Sequence, residues 1–262
     1  MSLLRVENLS KSFGGVKAVA DVSFAVEPGA IHSLIGPNGA GKTTLFNLVT
    51  GVYAPTAGRI HVGGRDVTGF STAARAALGV QRTFQNLQIF FNMTAIENVM
   101  VGRHLHVGTG LVASLLGLPG IVHQTADARA KAEALMVHVG LGDWLGADAD
   151  AMPYGALKRL EIARALAAEP RLLLLDEPAA GLNPRETQEI ERLIRRVAAS
   201  GVTVVLVEHD MKLVMNVSDH ILVLDYGRKL AEGTADEVRR NPEVIKAYLG
   251  EAAAGETGGR GV

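Results

Sequence analysis

The sequence predicts an α/β protein in which helices surround a largely parallel sheet, with a small antiparallel β-subdomain at the start and a helical insertion in the middle. Three observations carry this expectation. Short apolar, β-branched runs alternate with helical patterns along most of the chain, as expected where parallel strands are joined by helical crossovers. The first thirty residues alternate in polarity residue by residue instead. From about Met93 to Met152 there is no convincing strand.

In chain order, Val6-Glu7-Asn8-Leu9 and Val22-Ser23-Phe24-Ala25-Val26 read as antiparallel strands separated by Phe13-Gly14-Gly15. Ile31-His32-Ser33-Leu34-Ile35 reads as a strand entering a glycine-rich turn. Ala128 to Val139 has a helical pattern and belongs to the insertion. Ala156 to Ala168 is a helix with a stripe of Leu157, Leu160, Ala163 and Leu166, ended by Pro170. Leu172 to Leu175 and Val202 to Val207 are apolar runs suited to buried strands. Between them, Pro184 opens a helix over Arg185 to Ala199 that closes near Gly201. Ile221 to Leu224 followed by Asp225-Tyr226-Gly227 predicts a late hairpin. One domain is expected over residues 3–250, with the insertion at about 93–160. Residues 251–262 are expected to form a flexible Gly/Ala-rich tail.

Composition narrows the function classes. Of 262 residues, 48% are hydrophobic and 20% charged, and the net charge of −1 gives no global attraction to nucleic acid or acidic lipid. Cysteine is absent, which excludes disulfides and thiolate metal sites and fits a reducing compartment. Met1-Ser2-Leu3-Leu4-Arg5 lacks the apolar run of a signal peptide. His104 to Ala126 carries no formal charge and is long enough to span a bilayer. It is broken by Gly108, Gly110, Gly117, Pro119 and Gly120, so it is expected to be a glycine-punctuated excursion facing a partner, and the chain reads as soluble.

The chemistry begins at Gly36-Pro37-Asn38-Gly39-Ala40-Gly41-Lys42-Thr43, which satisfies G-x-x-x-x-G-K-[ST] between a predicted strand and a predicted helix. Glycines let successive backbone N–H groups turn inward toward phosphate oxygens, and the following helix adds its positive end. Lys42 neutralises the β- and γ-phosphates and the Thr43 hydroxyl ligates Mg²⁺, with Thr44 next in the cradle. A second element is the apolar strand running into Asp176-Glu177-Pro178. Asp176, at the strand end, suits the Mg²⁺ shell, and Glu177 suits polarisation of an attacking water. A third element is Tyr154-Gly155, a glycine placed before a helix start where a phosphate could sit.

Taken together these three elements resemble the ABC ATPase family, over residues 3 to 250. The resemblance implies a P-loop NTPase of RecA-like core and lets roles be carried over by position. Phe13 then stacks on adenine. Gln85, in Arg82-Thr83-Phe84-Gln85, senses Mg²⁺ and water and touches the membrane partner. Met152-Pro153-Tyr154-Gly155-Ala156 occupies the signature position that closes on another protomer's ATP, Ala180-Gly181-Leu182-Asn183 links two sites, and His209 contacts the γ-phosphate. The signature departs from the common Leu-Ser-Gly-Gly-Gln: Pro153 supplies no hydroxyl, Tyr154 replaces a glycine and Ala156 a glutamine. Asn183 stands where aspartate is usual.

Within the family the segments around Arg82 to Gln85, Arg159 to Ala165, Pro178 to Pro184, Val207 to Met215 and Ala247 to Glu251 are similar to the ATP-binding subunit of branched-chain amino acid importers. The alternatives are the ATPase of lipopolysaccharide export and a non-transport ABC protein. The implied partners are a second ATP-binding subunit (identical or not), membrane permease subunits and, indirectly, a periplasmic or extracellular solute-binding protein. Nucleic acid is not expected, and the implied location is the cytoplasmic face of the inner membrane. The apolar cluster Ile89-Phe90-Phe91 is expected to line a groove for the permease.

Overall fold

The computed structural model describes residues 2–104 and 119–248, with the backbone alone for 119–125. Most of the glycine-punctuated excursion and the whole 251–262 tail lie outside the described residues. The chain divides into two compact units, Met1–Leu78 with Ile194–Val262, and Gly79–Leu193.

The first unit opens with strands β1 (Leu4–Phe13) and β2 (Val16–Val26), the antiparallel pair expected from the alternating start. With β4 (Ala57–Val62) and β5 (Arg65–Asp66) they form a four-stranded sheet in the order β2-β1-β4-β5. The pairing is not regular. Between Val6 and Leu9 the register shifts, and Asn8 and Asp21 both take left-handed backbone conformations there, joined by a 2.9 Å hydrogen bond from Asn8 Nδ2 to Asp21 Oδ1. Asn and Asp are the side chains that tolerate this conformation best.

The same unit holds β3 (Ile31–Ile35), β8 (Thr203–Val207), β9 (His220–Asp225) and β10 (Arg228–Gly233). β3 runs parallel to both β8 and β9, and β10 closes the expected hairpin on β9. All five residues of β3 and of β8 are buried, including the polar His32, Ser33 and Thr203, and the rest of both strands is apolar. Helix α1 (Lys42–Thr50) follows β3, and α2 (Thr72–Ala77) is N-capped by Ser71, whose hydroxyl accepts from Ala74 N. The second unit contains the parallel pair β6 (Val80–Arg82) and β7 (Leu172–Asp176). Its helices are α3 (Ala95–Gly102), α4 (Pro119–His138) and α5 (Tyr154–Leu166). The helix expected over Ala128 to Val139 is part of α4. Between Met93 and Met152 the described residues hold no strand, only an isolated bridge between Thr94 and Asp148. Helix α6 (Pro184–Ala199) starts on its proline, with the Asn183 side chain accepting from Arg185 N and Glu186 N. After β8, α7 (Met211–Val217) is capped by Asp210, and α8 (Ala235–Arg240) by a Thr234/Glu237 capping box. Residues 242–248 are also helical. Among the described residues no helix is long and apolar enough to cross a membrane.

One buried charge stands out in the first unit. Arg75 is 1% exposed, and its guanidinium donates to the carbonyls of Leu48 (2.6 Å), Val49 (2.7 Å), Thr68 (3.1 Å) and Phe70 (3.2 Å). Leu48 and Val49 end α1, so the cation satisfies carbonyls that a helix C-terminus leaves unpaired and complements its dipole. Burial lowers the guanidinium pKa, with Asp66 acting in the opposite direction. Arg75→Met keeps the bulk but removes all four of these hydrogen bonds, and it is expected to destabilise the protein by about 3 kcal/mol in urea unfolding. A change within about 0.5 kcal/mol, the scale of an ordinary surface substitution, would contradict this role.

Candidate active site

In the first unit, β3 delivers the chain into the loop Gly36 to Gly41, and α1 begins at Lys42. Two glycines here are required by their surroundings. A Cβ on Gly36 would run into the carbonyl oxygen of Leu224, and one on Gly41 into that of Ala18, and both residues have positive φ. The loop is also hydrogen-bonded in place: Gly227 N donates to Ala40 O (3.0 Å), and Ala20 N donates to Gly227 O (2.7 Å). β2 and the β9–β10 turn therefore brace it from outside.

Lys42 is 7% exposed, and its ammonium donates to the carbonyls of Gly36 (2.5 Å) and Pro37 (2.9 Å). A buried cation is thus held over the loop by the loop's own backbone. At the N-terminus of α1 the cap residue is Gly41, which supplies no side-chain acceptor, so this helix start presents N–H groups to an anion. Thr43 is exposed and Thr44 half-buried beside them. Pro37, Asn38, Gly39 and Ala40 border a cavity of about 580 Å³ together with Asp225 and Tyr226.

Phe13 is 44% exposed, so it is not a core residue. Its ring meets Tyr53 edge-on at 5.2 Å, and the Lys11 ammonium lies 5.0 Å from its centroid. An exposed aromatic supported by a second ring suits stacking on a flat ligand. His209 is exposed; Glu208, buried beside it, accepts from His209 N at 2.9 Å. The cap of α7 is Asp210, which leaves the His209 side chain out of that task.

In the second unit, β7 ends at Asp176, which is buried and forms a 2.5 Å ion pair with Arg82 at the end of β6. Glu177 follows with φ +49°, a left-handed conformation that is costly for a side chain of this size. Its Oε2 accepts from Gln85 Nε2 at 3.0 Å. The structure therefore brings together two residues that the sequence placed 92 positions apart. Helix α5 begins two residues earlier than expected, at Tyr154 and not Ala156: Pro153 is its cap and Gly155 lies inside its first turn. The reason is that proline fixes the backbone entry while carrying no N–H that the turn would need. Gly155 is buried, and a Cβ there would meet the Glu186 carboxylate at 2.5 Å; the Tyr154 ring packs over Gly181.

Each unit offers oxygen donors of the hard kind that Mg²⁺ takes: the Thr43 hydroxyl in the first, and the Asp176 carboxylate and the Gln85 amide in the second. Among the described residues no group of three His, Cys, Asp or Glu could hold a metal ion. Mg²⁺ that arrives with phosphate oxygens in its shell needs only one or two protein oxygens of this kind. Pattern reading assigned no role to Arg82, Tyr53, Lys158 or Glu161. Arg82 adjoins the recognised Thr83-Phe84-Gln85 segment, and that adjacency was the one available signal.

The model of the ABC transporter family matches residues 19–180, and that of the branched-chain amino acid ATP-binding cassette transporter matches residues 228–254. The chain is 47% identical to the high-affinity branched-chain amino acid transport ATP-binding protein BraF of Pseudomonas aeruginosa, covering 95% of this chain and 98% of the relative. Identity to LivG, which bears the same description, is 46% in Escherichia coli, with the same coverage. A probable LivG of Methanocaldococcus jannaschii is 34% identical, over 96% of this chain and 98% of the relative. Among solved structures, the ADP conformation of an ATP-binding cassette of an ABC transporter superposes with TM-score 0.83 at 32% identity, over 95% of this chain and 99% of the other. A nucleotide-free cassette gives 0.82 at the same identity and coverage. The phosphate loop, the Gln85–Glu177 pair and this likeness along nearly the whole chain agree: the chain belongs to the ABC transporter family, as one of its ATP-binding cassettes.

Proposed function

We propose that the chain is the ATP-hydrolysing subunit of an ABC importer for branched-chain amino acids. The observation that carries the reading is the end-to-end likeness to BraF and LivG, which favours it over the lipopolysaccharide exporter ATPase and the non-transport alternatives. Residues 3–250 act as one ATPase domain, with a helical insertion at about 93–160.

The residues divide the work by chemistry. Lys42 and the N–H groups from Gly36 to Thr44 bind and neutralise the phosphates, and Phe13 stacks on adenine. Thr43, Asp176 and Gln85 hold Mg²⁺. When bound, the metal ion neutralises charge that develops on the transferring phosphoryl group. Arg82 fixes the Asp176 carboxylate in one orientation. Glu177 accepts the proton of the attacking water, held toward it by Gln85, and His209 contacts the γ-phosphate. Tyr154 and Gly155 close on the ATP of a second ATP-binding subunit, identical or not. ATP that binds this closed dimer better than the open one drives closure, and hydrolysis releases it. The remaining partners are two permease subunits and, through them, a solute-binding protein, with the chain at the cytoplasmic face of the membrane.

The permease surface is in the second unit. Phe84, Phe90 and Phe91 are 47%, 44% and 49% exposed, while Ile89 is buried at 8%. Phe84, Ile89 and Phe90 line a cavity of about 420 Å³. Of the expected Ile89-Phe90-Phe91 cluster, Ile89 is thus an anchor and the phenylalanines are the presented surface.

Two outcomes test the reading. Glu177→Gln is expected to retain ATP binding while turnover falls by roughly 10²–10⁴, the share of a general base; near-normal hydrolysis would remove Glu177 from the chemistry. Phe90→Ala combined with Phe91→Ala is expected to leave basal hydrolysis and the unfolding temperature close to wild type but to abolish stimulation by purified permease in vesicles. A folded double variant that couples normally would place the permease surface elsewhere.

A further inference from the structure

Three charged residues of α5 have no part in the chemistry above. Lys158 is 2% exposed, Glu161 3%, and Arg164 is half-buried. They stand three residues apart, so successive members are neighbours along the helix. Burying charge is costly unless specific partners receive it, and leucine or methionine would fill a helix face with less penalty. Each of the three is directed at one segment of main chain. Lys158 Nζ donates to Gln85 O (3.3 Å), Glu161 Oε1 accepts from Phe84 N (3.3 Å), and Arg164 Nη1 donates to Gln88 O. The Arg164 guanidinium also covers the Phe90 ring at 5.6 Å. From the other side, buried Asn98 accepts from Phe90 N (2.9 Å) and donates to Phe90 O (3.0 Å). Burial pushes the Glu161 carboxyl up, and the Phe84 N–H, Lys158 and Arg164 oppose that shift.

This segment has a functional residue at each end. Gln85 reaches Glu177, whereas Phe84 and Phe90 line the cavity, together with Gln88, Glu161 and Arg164. The helix that carries the clamp also begins at Tyr154, whose ring lies 5.7 Å from the Lys158 ammonium and packs over Gly181. We propose that Lys158, Glu161 and Arg164 are positioning residues: they hold the main chain of residues 84–88 so that Gln85 keeps Glu177 in place. This rests on the proposed ATPase function for its kinetic consequence but not for the clamp itself. It also accounts for Tyr154 at the signature, since the aromatic ring gives the buried ammonium a second partner.

The test uses the full chain and two independent readouts. In hydrogen–deuterium exchange, Glu161→Ala is expected to speed exchange in peptides covering residues 84–88 about tenfold, the effect of losing a hydrogen bond to a charged group. Peptides of strand β7 should be unchanged. In steady-state ATP hydrolysis the same variant should lose about tenfold in kcat with KM unchanged, because Gln85 and not nucleotide binding is disturbed. Glu161→Gln keeps an acceptor oxygen and should restore both values to near wild type. If Glu161→Ala does not fold, Lys158→Met is read in the same way. Normal exchange at residues 84–88 in the folded variant overturns the clamp, as does loss of protection without any change in kcat. A wild-type chain that hydrolyses no ATP would sink the proposed function and leave the exchange result to decide the clamp.

Discussion

The phosphate loop of the first unit is held at its two ends, Gly36 and Gly41, where no side chain could be tolerated, and the rest of that unit is arranged to make this possible. Gly36 lies against the Leu224 carbonyl and Gly41 against that of Ala18, so strands from two different sheets meet the loop through bare backbone. The hydrogen bonds from Ala20 to Gly227 and from Gly227 to Ala40 complete the brace. A loop fixed in this way keeps its N–H groups converged before a ligand arrives, which spares binding the cost of ordering them. Arg75 extends the constraint to the far end of α1, where it takes up the carbonyls of Leu48 and Val49. The helix that offers its positive end to phosphate therefore has a cation at its negative end.

The second unit is organised around carboxylates. Asp176 and Glu177 are adjacent in sequence but have opposite surroundings. Asp176 is buried against Arg82, whereas Glu177 turns out through a left-handed residue and meets Gln85. Adjacent acids on an ordinary strand would point to opposite faces; the break in the strand at Glu177 lets both serve one end of it. Gln85 in turn lies on a segment held by buried charges of α5, so the orientation of one amide depends on polar contacts along about two turns of helix.

Much of this was legible in the sequence. Strands β7 and β8 carry apolar runs of four residues, Pro184 and Gly201 bracket a helix, and the G-x-x-x-x-G-K-[ST] spacing names its own backbone geometry. Local patterns sufficed because each feature is determined within a few residues. Arg75, Arg82, Lys158 and Glu161 were not legible for the opposite reason. Hydrophobic periodicity assigns a charged residue to the solvent by default, and what buries these four is a set of partners distant along the chain: Leu48 for Arg75, Asp176 for Arg82, and Phe84 and Gln85 for Glu161 and Lys158. The start of α5 at Tyr154 lies two residues before the expected Ala156, because the apolar stripe that marks the helix begins only at Leu157 and Pro153, which caps it, carries no periodic signal.

The account turns on Lys42 as the cation that a preformed loop presents to phosphate. Calorimetric titration of Mg-ATP into the full chain and into Lys42→Ala, with unfolding curves for both, measures this directly. The account predicts one ATP per chain for the wild type and no detectable binding heat for a folded Lys42→Ala at the same concentrations. Equal affinity in the two proteins would contradict it.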